Sequence, residues 1–132
     1  MPGAFELPFA ARTLQLNCSH DVIMCIGCLI KGETMHYEYI SEGVAQGLMR
    51  LNTAGQGQSQ GLIGAPVIFG VLECLNEEQA LARAGLIAGS HNHGVEWAQS
   101  ALRMADIYRG PLVLTTGLGY LKTMAASAAG SE

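Results

Sequence analysis

Two stretches hold the residue types that do chemistry. The first is Lys31-Gly32-Glu33-Thr34-Met35-His36, a glycine-containing turn between an apolar run and a helical pattern. A strand that empties through such a turn into a helix aims several backbone amides at one point, which suits a phosphate or a carboxylate. A plain tight connection using Gly32 for its backbone freedom fits the same residues. His36 stands in the first turn of the following helix, from which a neutral imidazole can face the same space and pass protons. The second stretch, residues 66–83, ends in Arg83, whose planar fork matches a phosphoryl group and serves equally as a solvated surface group or ion-pair partner. Both stretches place polar groups past the end of an apolar strand, where open α/β sheets put their ligand sites.

Other candidates carry two readings each. Glu6, flanked by apolar residues, can accept hydrogen bonds from a polyol or sit as a partly exposed loop carboxylate. Phe69, in a strand, can stack on a flat ring or pack in the core. His91 and His93 flank Asn92 at a spacing without helical ligand geometry, so no metal site is assigned. Cys18, Cys25, Cys28 and Cys74 show no disulfide-framework spacing. Cys25-Ile26-Gly27-Cys28 lies within an apolar strand, so the expectation is buried, reduced thiols.

The elements that must position these residues follow from patterning. Residues 20–30 form a nearly continuous apolar run, read as a central parallel strand. Thr34 caps a helix to about residue 51, with Ile40, Val44, Leu48 and Leu51 at spacings of three and four. Residues 52–65 are rich in Gly, Gln and Ser, read as a surface loop without chemistry. Residues 66–72 are the second strand, with Pro66 at its first position. Asn76 and Gln79 mark the start of a short helix that carries Arg83, and Gly85 supplies its stop. A further helix is expected from residue 95 to 109, with Trp97, Ala101, Met104, Ala105 and Tyr108 on one face. Residues 4–14 form a short segment in which Pro8 limits a regular strand. Residues 112–129 read as strand, turn and weak helix, with a frayed end.

Composition narrows the classes. One core is expected for 132 residues. Charged residues are 14% against 49% apolar, well below the roughly 25% charge of typical domains. Such a surface exposes apolar patches as a monomer, so a homo-oligomer is expected. The net charge is -4 and the seven basic residues are scattered, which argues against a nucleic-acid partner. No signal segment or apolar run of about 18 residues occurs, so no membrane partner is expected and the cytoplasm is the default.

Taken together, PGAFELPFAA, DVIMCIGCLIKGETMHYEYI, VAQGLMRL, PVIFGVL, EEQALARAG and SHNHGVEWAQSALRMA resemble the 6,7-dimethyl-8-ribityllumazine synthase family, the last segment its fungal branch. The resemblance implies a three-layer α/β/α sandwich with a mainly parallel sheet of flavodoxin-like topology. It implies a transferase of riboflavin biosynthesis that condenses 5-amino-6-(D-ribitylamino)uracil with 3,4-dihydroxy-2-butanone 4-phosphate, without metal or organic cofactor. By the same matching, His36 is the proton-transfer residue and Arg83 holds the butanone phosphate. Glu33 and Thr34 fall in the phosphate-binding turn. Ala4, Phe5 and Glu6 match the segment that binds the ribitylaminouracil, and Cys28, Leu29 and Ile30 the strand end beside the pyrimidine. Phe69 matches a residue reaching a neighbouring subunit's site. The family forms pentamers, in some members assembled into icosahedral shells.

Family members place a strand, a long helix and the start of a second strand before the PGAFELP segment. The expected organisation is therefore a lumazine synthase-like domain over residues 1–110, shortened at its N-terminus, and a C-terminal extension over 111–132, either strand–helix or disordered. That shortening keeps two other functions open: a paralogue catalysing a different amine–carbonyl condensation, and a non-catalytic oligomeric scaffold.

Overall fold

Pro8, which limits a strand over residues 4–14, favours a helix start instead. In the computed structural model, which describes residues 2–17, 19–53 and 64–110, a 3-10 turn at Ala4–Glu6 runs into helix α1, Leu7–Leu16, with Pro8 in its first turn. There the ring's fixed φ suits a helix, and the missing amide has no intrahelical partner to lose. Leu7 and Ala11, four apart, are buried on one face of α1.

Strand β1, Ile23–Ile30, pairs in parallel with strand β2, Val67–Cys74, in a register from Ile23 opposite Val67 to Ile30 opposite Cys74. The ladder extends at one end by the Ile23 amide donating to the Pro66 carbonyl (2.8 Å) and at the other by the Lys31 amide donating to Cys74 (2.9 Å). The strand expected over 20–30 thus begins at Ile23. Asp21, just before it, is held by an ion pair with Arg109 that keeps the Asp21 carboxyl below its ordinary range. Parallel strands need a crossover, supplied by helix α2, His36–Thr53.

Side-chain alternation along the strands sorts the layers. Ile23, Cys25, Val67 and Val71 pack with Leu7 and Ala11 of α1 and with Val44 and Leu48 of α2; Val44 and Leu48 are essentially inaccessible to solvent. The apolar stripe of α2 therefore faces the core as its spacing predicts. On the opposite sheet face lies Trp97 of helix α4, His93–Arg109, against Gly70. Helices thus cover both faces of the two parallel strands, an α/β/α arrangement. The expected apolar face of α4 is realised at Ala101 and Ala105, which are buried; Met104 and Tyr108 are exposed, because no described element lies over that side.

Helix α3, Glu77–Arg83, starts as expected. Asn76 accepts the Gln79 amide at 2.9 Å, while Gln79 Oε1 accepts the Leu75 amide at 2.9 Å. Gly85 follows at φ +73°, in the left-handed region, and a Cβ there would lie 2.6 Å from the Asn92 Cβ. Only glycine meets both demands.

The loop expected over 52–65 is shorter than its composition suggests. Asn52 and Thr53 belong to α2, and Ala65 is buried. Asn52 acts as a strand substitute: its amide donates to the Val67 carbonyl (2.9 Å) and its oxygen accepts the Val67 amide (2.8 Å). Gln15 of α1 donates to the Ala65 carbonyl at 2.8 Å. The rest of that loop, the expected extension over 111–132 and Cys18 lie outside the described residues. Among the described residues, no helix is long and apolar enough to cross a membrane.

Candidate functional site

The turn after β1 opens a hollow of about 250 Å3 lined by Leu29, Ile30, Gly32, Thr34, His36, Tyr37 and Ile40. The apolar run of β1 ends at Ile30, and the chain turns through Gly32 into α2. His36 is the first residue of that helix, and its amide donates to Thr34 Oγ1 at 3.4 Å, a long side-chain turn contact just ahead of the helix. The helix start fixes where the exposed His36 ring begins its reach over the hollow.

Lys31 is engaged beside this site. It pairs with Glu38 of α2 and pulls the Glu38 carboxyl below its usual range. The cation of the turn is therefore committed to α2, which leaves Thr34, the turn backbone and His36 facing the hollow. Tyr37 is a lining residue that sequence reasoning missed. Burial pushes its phenol up, and the charge of Glu73 adds to this. Adjacent to His36 in sequence, it carries no motif of its own; only the helix phase, known once the start of α2 is fixed, brings it to the hollow.

The remaining candidates divide into groups. Leu29, Ile30, Thr34 and His36 share this hollow, whereas Ala4 and Cys28 line a larger open groove of about 550 Å3 between the start of α1 and β1. Glu6 is half-buried in the 3-10 turn, and Phe5 and Glu33 are exposed. Arg83 is the exposed last residue of α3, with no ion pair among the described residues. Since β1 and β2 are parallel neighbours, α2 and α3 both begin at the carboxyl edge of the sheet.

Two expectations need correction. Cys25 and Cys74 are buried thiols, but Cys28 is exposed, because no described element covers the sheet face it occupies near the strand end. Burial still pushes its thiol up, with Cys74 nearby adding to the effect. Phe69 is 40% exposed, so the core reading of that ring fails.

The structure also brings together three residues that the sequence left apart. Helix α4 begins at His93 rather than residue 95, because Asn92 accepts the Gly94 amide at 2.8 Å and acts as its cap. Glu96 then falls three residues after His93 on the same helix face. Its carboxylate lies 3.1 Å from His93 Nδ1 and 3.2 Å from His91 Nε2.

Two parallel strands with helices on both faces and a hollow at the carboxyl end of β1 define an α/β protein whose cavity lies where open α/β sheets place their ligand sites. Residues 1–109 match the family model described as 6,7-dimethyl-8-ribityllumazine synthase, and the chain belongs to that family. Relatives of that name include one from Schizosaccharomyces pombe, 49% identical over 104 residues, covering 79% of this chain and 60% of the relative. One from Pyricularia oryzae is 52% identical over 84 residues, covering 64% of this chain and 38% of the relative. One from Trichormus variabilis is 42% identical over 109 residues, covering 83% and 52% respectively. The chain spans about half the length of the curated relatives it matches.

Proposed function

We propose that this chain is a 6,7-dimethyl-8-ribityllumazine synthase, condensing 5-amino-6-(D-ribitylamino)uracil with 3,4-dihydroxy-2-butanone 4-phosphate in the cytoplasm. Family membership over residues 1–109 supports the reaction class. The observation that carries the reading is His36 at the start of α2, on the rim of a hollow whose floor is the end of β1. In the reaction the uracil's 5-amino group attacks the ketone and water leaves to give an imine. A proton is then lost from carbon as phosphate departs, and the ribitylamino nitrogen closes the ring with loss of a second water. Each step moves protons, the work of His36, with Tyr37 beside it as a phenol of raised affinity for its proton.

In this reading Thr34 and the backbone amides of the turn at Gly32 and Glu33 receive the phosphate, and Arg83 holds it. Leu29, Ile30 and Cys28 border the pyrimidine, Ala4, Phe5 and Glu6 bind the ribityl arm, and Phe69 reaches a neighbouring subunit's site. The exposed apolar side chains Phe5, Phe9, Ile26, Leu102 and Ile107 support a homo-oligomer, a pentamer by family resemblance, in which other copies complete sites that a single chain leaves divided. Incubating purified protein with both precursors and recording fluorescent lumazine is the test. Its formation at a rate lowered about 100-fold or more by His36→Ala is expected; no product above the uncatalysed rate overturns the proposal.

A further inference from the structure

We propose that His91, His93 and Glu96 form a binding site for a borderline-soft divalent cation of the Zn2+ class. One nitrogen from each imidazole and one carboxylate oxygen lie within 4.8 Å of one another. The two nitrogen–oxygen separations, 3.2 Å from His91 Nε2 to Glu96 Oε1 and 3.1 Å from His93 Nδ1 to Glu96 Oε2, are close to a coordination spacing but reach different oxygens of the one carboxylate. Two donors about 2.0–2.1 Å from Zn2+ at a tetrahedral angle lie about 3.3 Å apart. To share one carboxylate oxygen, the imidazoles must still draw closer to it and to each other. Their rings stand edge to face with centroids 5.2 Å apart, and all three side chains are at least partly solvent-exposed, so side-chain rotation closes that gap without moving the backbone.

The donor set selects the ion. Two imidazoles and one carboxylate favour Zn2+, Co2+ or Ni2+ over Mg2+ and Ca2+, which take oxygen donors. Three protein ligands leave one position to water, or to a donor from outside the chain. The backbone under the site is already fixed: Asn92, between the two histidines, caps α4 and bridges to Ala84, and Gly85 packs against it. A bound ion therefore ties the connection after α3 to the first turn of α4. The site is separate from the hollow at His36 and does not depend on the proposed condensation.

Titration of the tag-free, full-length chain with Co2+ alone is the direct test, because tetrahedral Co2+ gives visible d–d bands. Saturation at one equivalent without thiolate charge-transfer bands is expected. Partners outside the first shell already contribute roughly 10–100-fold in metal affinity, so His91→Ala and Glu96→Gln are each expected to weaken binding by about 100-fold, while His20→Ala leaves it unchanged. Zn2+ is expected to raise the melting temperature of the parent and not of Glu96→Gln. Unchanged affinity in the Glu96→Gln variant, no saturable binding, or charge-transfer bands that vanish with Cys28→Ser would each overturn the assignment.

Discussion

Trp97 packs directly on the backbone at Gly70: a Cβ at Gly70 would lie 3.1 Å from Trp97 Cε3 and 2.9 Å from the Cys25 carbonyl oxygen. The indole is the chain's one tryptophan, and this contact seats α4 on the sheet. Gly70→Ala forces both neighbours to yield, and is expected to destabilise the fold by about 1–3 kcal/mol. Urea unfolding followed by Trp97 fluorescence measures it. A variant with unchanged midpoint and emission maximum would show that the close packing is not required.

Asn52→Ala removes both the donor and the acceptor that Val67 uses, leaving two part-buried backbone groups unpaired. A loss of about 2 kcal/mol is expected, slightly offset by alanine's better helix propensity. Asn52→Asp keeps the acceptor but sets a carboxylate oxygen against the Val67 carbonyl, so it is expected to be no more stable than Asn52→Ala. Equilibrium denaturation that leaves either variant as stable as the parent contradicts the paired geometry.

Glu73 is an exposed residue of β2 with its carboxyl partly desolvated, which sets the sign of a pH dependence. That desolvation raises its pKa above the ordinary carboxylate value, so the folded state holds the proton more tightly than the unfolded state. Stability then falls as pH rises through the interval just above that ordinary value. Glu73→Gln removes this fall: the variant is expected to match the parent in acid and to exceed it in melting temperature at neutral pH. A gain that is the same at both pH values would assign the effect to something other than titration.

For the proposed condensation, His36 and Arg83 separate kinetically. Removing a proton-transfer group lowers kcat by about 100-fold or more, whereas Arg83→Lys keeps the charge and loses the fork, raising KM for the phosphorylated substrate by about 10-fold. Steady-state kinetics on each substrate reads the split. Equal loss in kcat for both variants would place Arg83 in the chemical step instead.

Much of this architecture was legible because its signals are local. The apolar runs of β1 and β2, the three–four spacing of α2 and the Asn76 cap of α3 each depend on a few neighbouring residues. The turn at Gly32 and His36 was readable for the same reason, since strand, turn and helix follow one another without interruption. Helix α1 was hidden by Pro8, whose meaning reverses between strand and first helical turn. The His91–His93–Glu96 grouping was hidden by a two-residue error in the start of α4, which moved Glu96 off the face shared with His93. Asn52 was set aside with its polar neighbours, although its role depends on Val67, fifteen residues away. The exposure of Cys28 and Phe69 depends on what covers each sheet face, which no local pattern encodes.

The hydrogen bonds from Asn52 to Val67 and from Gln15 to Ala65 have a practical corollary. Side chains anchored outside residues 54–63 set the alignment of β2, so the length of that connection has little leverage over strand pairing. Closure entropy grows only slowly with added residues. Lengthening that connection is therefore expected to leave the pairing of Ile23 with Val67, and the strand alignment that follows from it, unchanged.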